Sequence, residues 1–174
     1  ELKIIADVGL VGYPNAGKST FLTAVSSATP KIAPYPFTTL HPIVGVHEFP
    51  DMHRITVADI PGLIDGAHLN VGLGHEFLRH IERTKALIYV LDVPGTEGRD
   101  ALSDFRALQN ELELYMKGLS RRKAVIAANK MDLPGAQSKL RRLRKELPGH
   151  TIISVSAIEK KNTSKVMEAV REIL

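Results

Sequence analysis

Cysteine is absent from the 174 residues, which excludes a disulfide framework and any cysteine-ligated zinc site, and is compatible with a reducing compartment. No apolar run approaches the roughly 20 residues that a membrane-spanning helix needs, and the chain has no internal repeat or low-complexity tract. Aromatic residues make up only 5% of the sequence, and none is interleaved with the basic runs, so stacking on nucleic-acid bases is not indicated. The first residue is Glu1 rather than Met and a strand pattern follows almost at once, so the chain is expected to be a domain cut from a longer protein, with any targeting segment outside it. What remains is the length of one α/β domain, with enough apolar residues for a full core. The net charge of +4 and pI of about 9.4 lean mildly toward polyanionic partners.

Gly12 to Thr20 reads Gly-Tyr-Pro-Asn-Ala-Gly-Lys-Ser-Thr, the phosphate-loop pattern of paired glycines followed by Lys and Ser. The β-type run Val8 to Val11 leads into it, and Phe21, Leu22 and Val25 lead out with helical spacing. Backbone N–H groups around Asn15, Ala16, Gly17 and Thr20 must turn inward around a phosphate, and Gly12 and Gly17 permit that approach. The helix N-terminus adds partial positive charge. Lys18 is placed to bridge outer phosphates, and the Ser19 hydroxyl is a hard oxygen ligand suited to Mg²⁺.

Further along, Thr29 to Pro42 contains four prolines and reads as a loop. Ile43 to Phe49 and Arg54 to Ala58, joined by Pro50-Asp51-Met52-His53, suggest an antiparallel hairpin. Four glycines between Gly62 and Gly74 favour a mobile loop, and a short amphipathic segment, His75 to Arg83, follows. Buried-type strands are expected at Ala86 to Leu91, Ala124 to Ala128 and Thr151 to Val155. Helical spacing marks Leu102, Phe105, Leu108, Leu112 and Tyr115, then Leu140, Leu143 and Leu147, then Val166, Val170 and Ile173. This alternation argues a doubly wound, mostly parallel α/β sheet.

Asn129-Lys130-Met131-Asp132 follows one of those strands. A carboxylate at Asp132 can accept from both N1–H and N2–H₂ of guanine, a donor pair that adenine lacks. Asn129 and Lys130 would brace the phosphate loop and the base, and the turn Ser156-Ala157-Ile158 can offer a backbone donor to guanine O6. Asp59 ends a strand and Gly62 follows three residues later, with Pro61 between them. Thr39 lies in the proline-rich loop beside Phe37 and Thr38. Together these suit a sensor of a third phosphate, with Thr39 or its rival Thr38 on Mg²⁺, Asp59 holding a metal-bound water, and the Gly62 N–H on the γ-phosphate.

These motifs, in this order, resemble the translation-factor-like P-loop GTPases, whose Ras-like G domain is the fold implied. The runs Tyr35 to Leu40, Ala58 to His68 and Gly72 to Arg83 narrow the likeness to the Obg family, and Glu111 to Ser120 looks most like its mitochondrial members. The resemblance implies one GTP-binding domain over residues 1–174, without the family's glycine-rich N-terminal domain. It also implies a slow, monomeric GTPase that uses Lys18, Thr39 and Gly62 in catalysis and binds GTP, GDP and the large ribosomal subunit or its precursor. The compartment implied is the mitochondrial matrix, with bacterial cytoplasm or chloroplast as alternatives.

Many GTPases place Gln after the Asp-x-x-Gly motif to orient the attacking water, but here that position is Leu63, so slow turnover is expected and no general base can be named. Asn15 offers either a K⁺ ligand near the phosphates or a brace for the loop. The basic run Lys139, Arg141, Arg142, Arg144 and Lys145, with Arg121-Arg122-Lys123 and Lys160-Lys161, is either a solvated face or a contact for RNA phosphates. His75, Glu76 and His80 miss the zinc-protease spacing by one residue. A GTP-gated scaffold without appreciable hydrolysis is the second reading of the chain.

Overall fold

Among the described residues, apolar runs alternating with helical spacing resolve into one seven-stranded sheet covered on both faces. The structure is a computed structural model that describes residues 4–35, 41–60 and 78–174. In chain order the elements are β1 (Ala6–Val11), α1 (Lys18–Val25), β2 (Lys31–Ile32), β3 (Ile43–Glu48), β4 (Arg54–Asp59), β5 (Thr84–Asp92), α2 (Ala101–Tyr115), β6 (Ala124–Asn129), α3 (Ala136–Glu146), β7 (Ile152–Ser154) and α4 (Thr163–Ile173). A helical turn at 78–81 precedes β5, and a 3₁₀ turn at Leu119–Arg121 precedes β6.

Strand order is β2-β3-β4-β1-β5-β6-β7, parallel from β4 to β7 and antiparallel at the β2-β3-β4 edge. The central strands are buried on both faces, which is why β5 reads as a continuous apolar run rather than an alternating one. One core packs Leu102, Phe105, Leu108 and Leu112 of α2 and Leu140 and Leu143 of α3 against the sheet. The other packs Phe21, Leu22 and Val25 of α1 and Val166, Met167 and Val170 of α4. Each such aliphatic or aromatic side chain contributes about 1.5–3 kcal/mol by leaving water.

Register decides what the parallel strands present at their C-terminal ends. Leu10 pairs with Asp59, Val11 with Tyr89, Asp92 with Asn129, and Ala128 with Ser154, so these strand ends share one rim. Among the described residues no helix is long and apolar enough to cross a membrane.

Two sequence expectations change. Lys31–Ile32, inside the expected proline-rich loop, forms a two-residue edge strand, because the stretch between Pro30 and Pro34 leaves room for a short antiparallel pairing with Ile43 and Val44. Arg122 is not part of a solvated basic run: its guanidinium donates to the carbonyls of Ile81, Glu82 and Thr84 at 3.0, 3.0 and 2.8 Å, fixing the turn that enters β5. The glycine-rich stretch 62–74 and His75 and Glu76 lie outside the described residues, whereas His80 is buried with its ring 5.9 Å from that of Tyr35.

Candidate functional site

Between β1 and α1 the chain must turn tightly enough to aim backbone N–H groups at one point. Gly12 permits this because a Cβ there would lie 2.6 Å from the Val90 carbonyl oxygen. Gly17 holds a left-handed φ of 105°, and Asn15 a φ of 66°, a conformation asparagine tolerates better than most residues. The Lys18 ammonium donates to the Gly12 carbonyl at 3.1 Å, across the base of the loop. Burial lowers the Lys18 pKa, and the nearby Asp59 charge opposes that shift.

Asn129 ties this loop to the far side of the site. Its amide nitrogen donates to the Ala16 carbonyl at 2.9 Å, and its amide oxygen accepts from the Ala157 N–H at 3.0 Å. The side chain is buried, so both ends of its amide are committed. Ser156, also buried, donates its hydroxyl to the Asp132 carboxylate at 2.8 Å and thereby orients an exposed acid. Asn15, Gly17, Lys18, Ser19 and Thr20 on one side and Asn129, Lys130, Asp132, Ala157 and Ile158 on the other line a single cleft of about 460 Å³. That volume lies in the range of small-molecule sites. Ala16 and Ser156 sit behind its wall as hydrogen-bonding supports. Phe37, Thr38, Thr39, Pro61 and Gly62 lie outside the described residues.

Behind Ser19, which lines the cleft, Asp59 accepts from the Ser19 hydroxyl at 3.1 Å through one carboxylate oxygen. Its other oxygen is buried and has no hydrogen-bond partner among the described residues. Such an oxygen is costly unless something else satisfies it. A hydroxyl beside a partly unsatisfied carboxylate is a pair of hard oxygen donors, and it fits a small divalent cation.

One loop that supports the cleft from outside went unread in the sequence. The loop 93–100 after β5 carries Glu97, which accepts from the Asn15 amide nitrogen at 2.7 Å, and Thr96, whose hydroxyl accepts from the Lys130 ammonium at 3.0 Å. Lys130 also pairs with Asp92 at 3.0 Å, so its charged end braces this loop rather than the phosphate loop. The signal was available, because Asp92 closes an apolar strand just as Asp59 does. Tyr13, one residue after Gly12, packs inward with the Arg99 guanidinium 3.8 Å from its ring centroid, and so does not cover the cleft.

Burial pushes the Asp92 carboxyl pKa up, but hydrogen bonds from Thr96 and the charge of Lys130 outweigh it and hold the value below the usual carboxylate range. A depressed native value stabilises the fold above the unfolded pKa of about 3.9, and this contribution is lost as pH falls through the native value. Asp92→Asn is therefore expected to cost about 1–3 kcal/mol at neutral pH and to flatten the loss of stability at acid pH. Thermal unfolding from neutral pH to about pH 2.5 checks both; an unchanged acid limb would remove Asp92 as its source.

The family described as 50S ribosome-binding GTPase matches residues 7–130. GTPase Obg of Symbiobacterium thermophilum is 55% identical over 176 residues, covering 100% of this chain and 41% of that protein. For GTPase Obg of Akkermansia muciniphila the identity is 52%, covering 100% and 50%. For that of Heliobacterium modesticaldum it is 58%, covering 90% and 36%. The chain thus spans half or less of the length of these bacterial relatives. Among solved structures, the G domain of the T. maritima FeoB iron transporter superposes with a TM-score of 0.71 at 20% identity, covering 95% of this chain and 96% of that one. A variant of Aquifex aeolicus Era bound to GDP and aluminium fluoride gives 0.69 at 21%, covering 97% and 56%. At these identities the superpositions speak for the fold, a P-loop GTPase sheet, while the family match and the relatives speak for descent. The chain belongs to the 50S ribosome-binding GTPase family, as the G domain of an Obg-type GTPase.

Proposed function

We propose that this chain binds GTP in the cleft, hydrolyses it slowly to GDP, and acts as a monomeric nucleotide-dependent switch in assembly of the large ribosomal subunit. The observation that carries the reading is Asn129 joining the Ala16 carbonyl to the Ala157 N–H, with Asp132 facing the same cleft. In this reading the N–H groups of Asn15 to Thr20 and the Lys18 ammonium hold the phosphates, Asp132 selects guanine, and Ala157 and Ile158 border the base. Ser19, with Asp59 acting through a metal-bound water and Thr39 joining when a third phosphate is present, would hold Mg²⁺, which would neutralise charge building on the outer phosphates. Phe37, Thr38, Thr39, Pro61 and Gly62 sense the third phosphate, and water adds to the γ-phosphorus as the bond to the bridging oxygen breaks. Leu63 cannot orient that water, so positioning and charge must carry the rate.

Asn15 is proposed as a K⁺ ligand. Its hydrogen bond to Glu97 uses the amide nitrogen, which leaves the oxygen as the atom for a cation. The partner is the large subunit or its precursor, RNA and protein together. For the compartment, Glu111 to Ser120 favours the mitochondrial matrix, and the bacterial sources of the relatives favour bacterial cytoplasm. Leu63 also favours the second reading, a GTP-gated scaffold with negligible hydrolysis.

Single-turnover GTP hydrolysis in K⁺ or Na⁺ buffer, with and without large ribosomal subunits, tests this. A rise of about tenfold or more with the particle is expected, as is a K⁺ stimulation that Asn15→Ala abolishes. Tight GTP binding with no turnover in any buffer would leave the scaffold. Equal rates in K⁺ and Na⁺, unchanged by Asn15→Ala, would remove the cation role.

A further inference from the structure

Helix α3 holds the net charge of the whole chain. Its 11 residues carry Lys139, Arg141, Arg142, Arg144 and Lys145 against Glu146 alone, which equals the formal net charge of +4; everywhere else acids balance cations. A merely solvated face would mix the two signs. Ala136, Leu140 and Leu143 are buried, with Leu147 just beyond, so helical periodicity turns Ser138, Arg141, Arg142 and Lys145 outward, and all four are exposed.

Internal needs explain only part of this charge. Lys139 donates to the Pro94 carbonyl at 2.5 Å, and Arg142 pairs with Asp100 at 3.1 Å, anchoring loop 93–100. Arg144 reaches the Ile152 carbonyl at 3.5 Å. Arg144 and Lys145 occupy the last turn, where the helix dipole favours cations. Arg141 has neither excuse, and neither it nor Lys145 makes an ion pair or hydrogen bond among the described residues. The Arg141–Lys145 and Arg141–Arg144 spacings bring like charges together on the helix surface, which destabilises the isolated chain. Glu146, the one acid, leans toward Arg106 at 3.7 Å.

We propose that the outward face of α3 docks the sugar-phosphate backbone of RNA without reading its sequence. This deepens the large-subunit reading and rests on it, by naming a surface for that partner. An acidic protein partner is disfavoured because the exposed positions of α3 are all polar or charged, with no aromatic or aliphatic anchor of the kind that dominates protein interfaces. A row of exposed cations suits phosphates, whose attraction is electrostatic and released by salt.

The test titrates a short fluorescein-labelled RNA duplex with the full chain by anisotropy over a range of KCl. Arg141→Glu/Lys145→Glu is compared with Lys117→Glu/Lys165→Glu, which makes the same charge change at two other exposed positions. Affinity for mant-GDP reports that each variant is folded. The α3 variant is expected to bind about tenfold or more weakly at about 0.1 M salt, with a slope of log affinity on log salt shallower by about 2, and the control variant to match wild type. Equal loss in both variants, or wild type binding matched polyglutamate as tightly as RNA, would overturn the proposal. Failure of the large-subunit reading would appear separately, as wild-type hydrolysis indifferent to the particle.

Discussion

Asp132→Asn is expected to lower GTP affinity by about two to three orders of magnitude and to raise affinity for xanthosine triphosphate. The carboxylate has two acceptors for the guanine N1–H and N2–H₂ donors. An amide keeps one acceptor and turns an N–H₂ toward another N–H₂, so one donor pair is left facing itself at a desolvated edge. Charge-assisted bonds are worth about 1.5–3 kcal/mol each, and leaving a buried donor unmet adds to the loss. Xanthine carries a carbonyl where guanine has its amino group, and that carbonyl accepts from the new amide. The support for residue 132 survives the change, because the Ser156 hydroxyl, 2.8 Å from the carboxylate, can donate equally to an amide oxygen. Competition against mant-GDP with GTP, ATP and xanthosine triphosphate measures all of this. GTP affinity within about twofold of wild type would mean that Asp132 does not read the base.

Why could the sequence name Asp132 but not Glu97? Asp132 stands in a local string whose spacing carries its own chemistry, as do Gly12 to Thr20. Glu97 gains its meaning only by meeting Asn15, 82 positions away, and no spacing encodes that meeting. The same holds for Arg122, whose charge looked like part of a basic run until three backbone carbonyls across the chain were seen to use it. Strand-end chemistry lies between these cases. Asp59 and Asn129 were legible because recognisable neighbours follow them, whereas Asp92 obeys the same rule but is followed by Val93-Pro94-Gly95, which carries no motif. The sheet itself was legible from buried runs alternating with helical spacing. The short edge strand β2 was not, since two residues are too few to show a period.

The largest structural effect is expected from Gly17→Ala. Its φ of 105° is strained for any residue with a side chain, at about 1–2 kcal/mol. The added Cβ would also lie 2.1 Å from the Asn129 amide nitrogen. That amide cannot step aside freely, because it is buried and held at 2.9 Å by the Ala16 carbonyl and at 3.0 Å by the Ala157 N–H. Relieving the clash therefore weakens two buried hydrogen bonds at about 1 kcal/mol each. A total near 3 kcal/mol lowers the unfolding midpoint by roughly 6–12 °C in a domain of this size, and mant-GDP binding should fall with it, since the same bonds join the two sides of the cleft. Gly98→Ala is the internal control: its φ is also positive, at 72°, but nothing lies within 4 Å of the new methyl group. It should lose only the backbone share, about 1 kcal/mol, and bind nucleotide normally. Matching midpoints for the two variants would mean that Asn129 yields without cost and does not lock the phosphate loop to the Ser156–Ala157 turn.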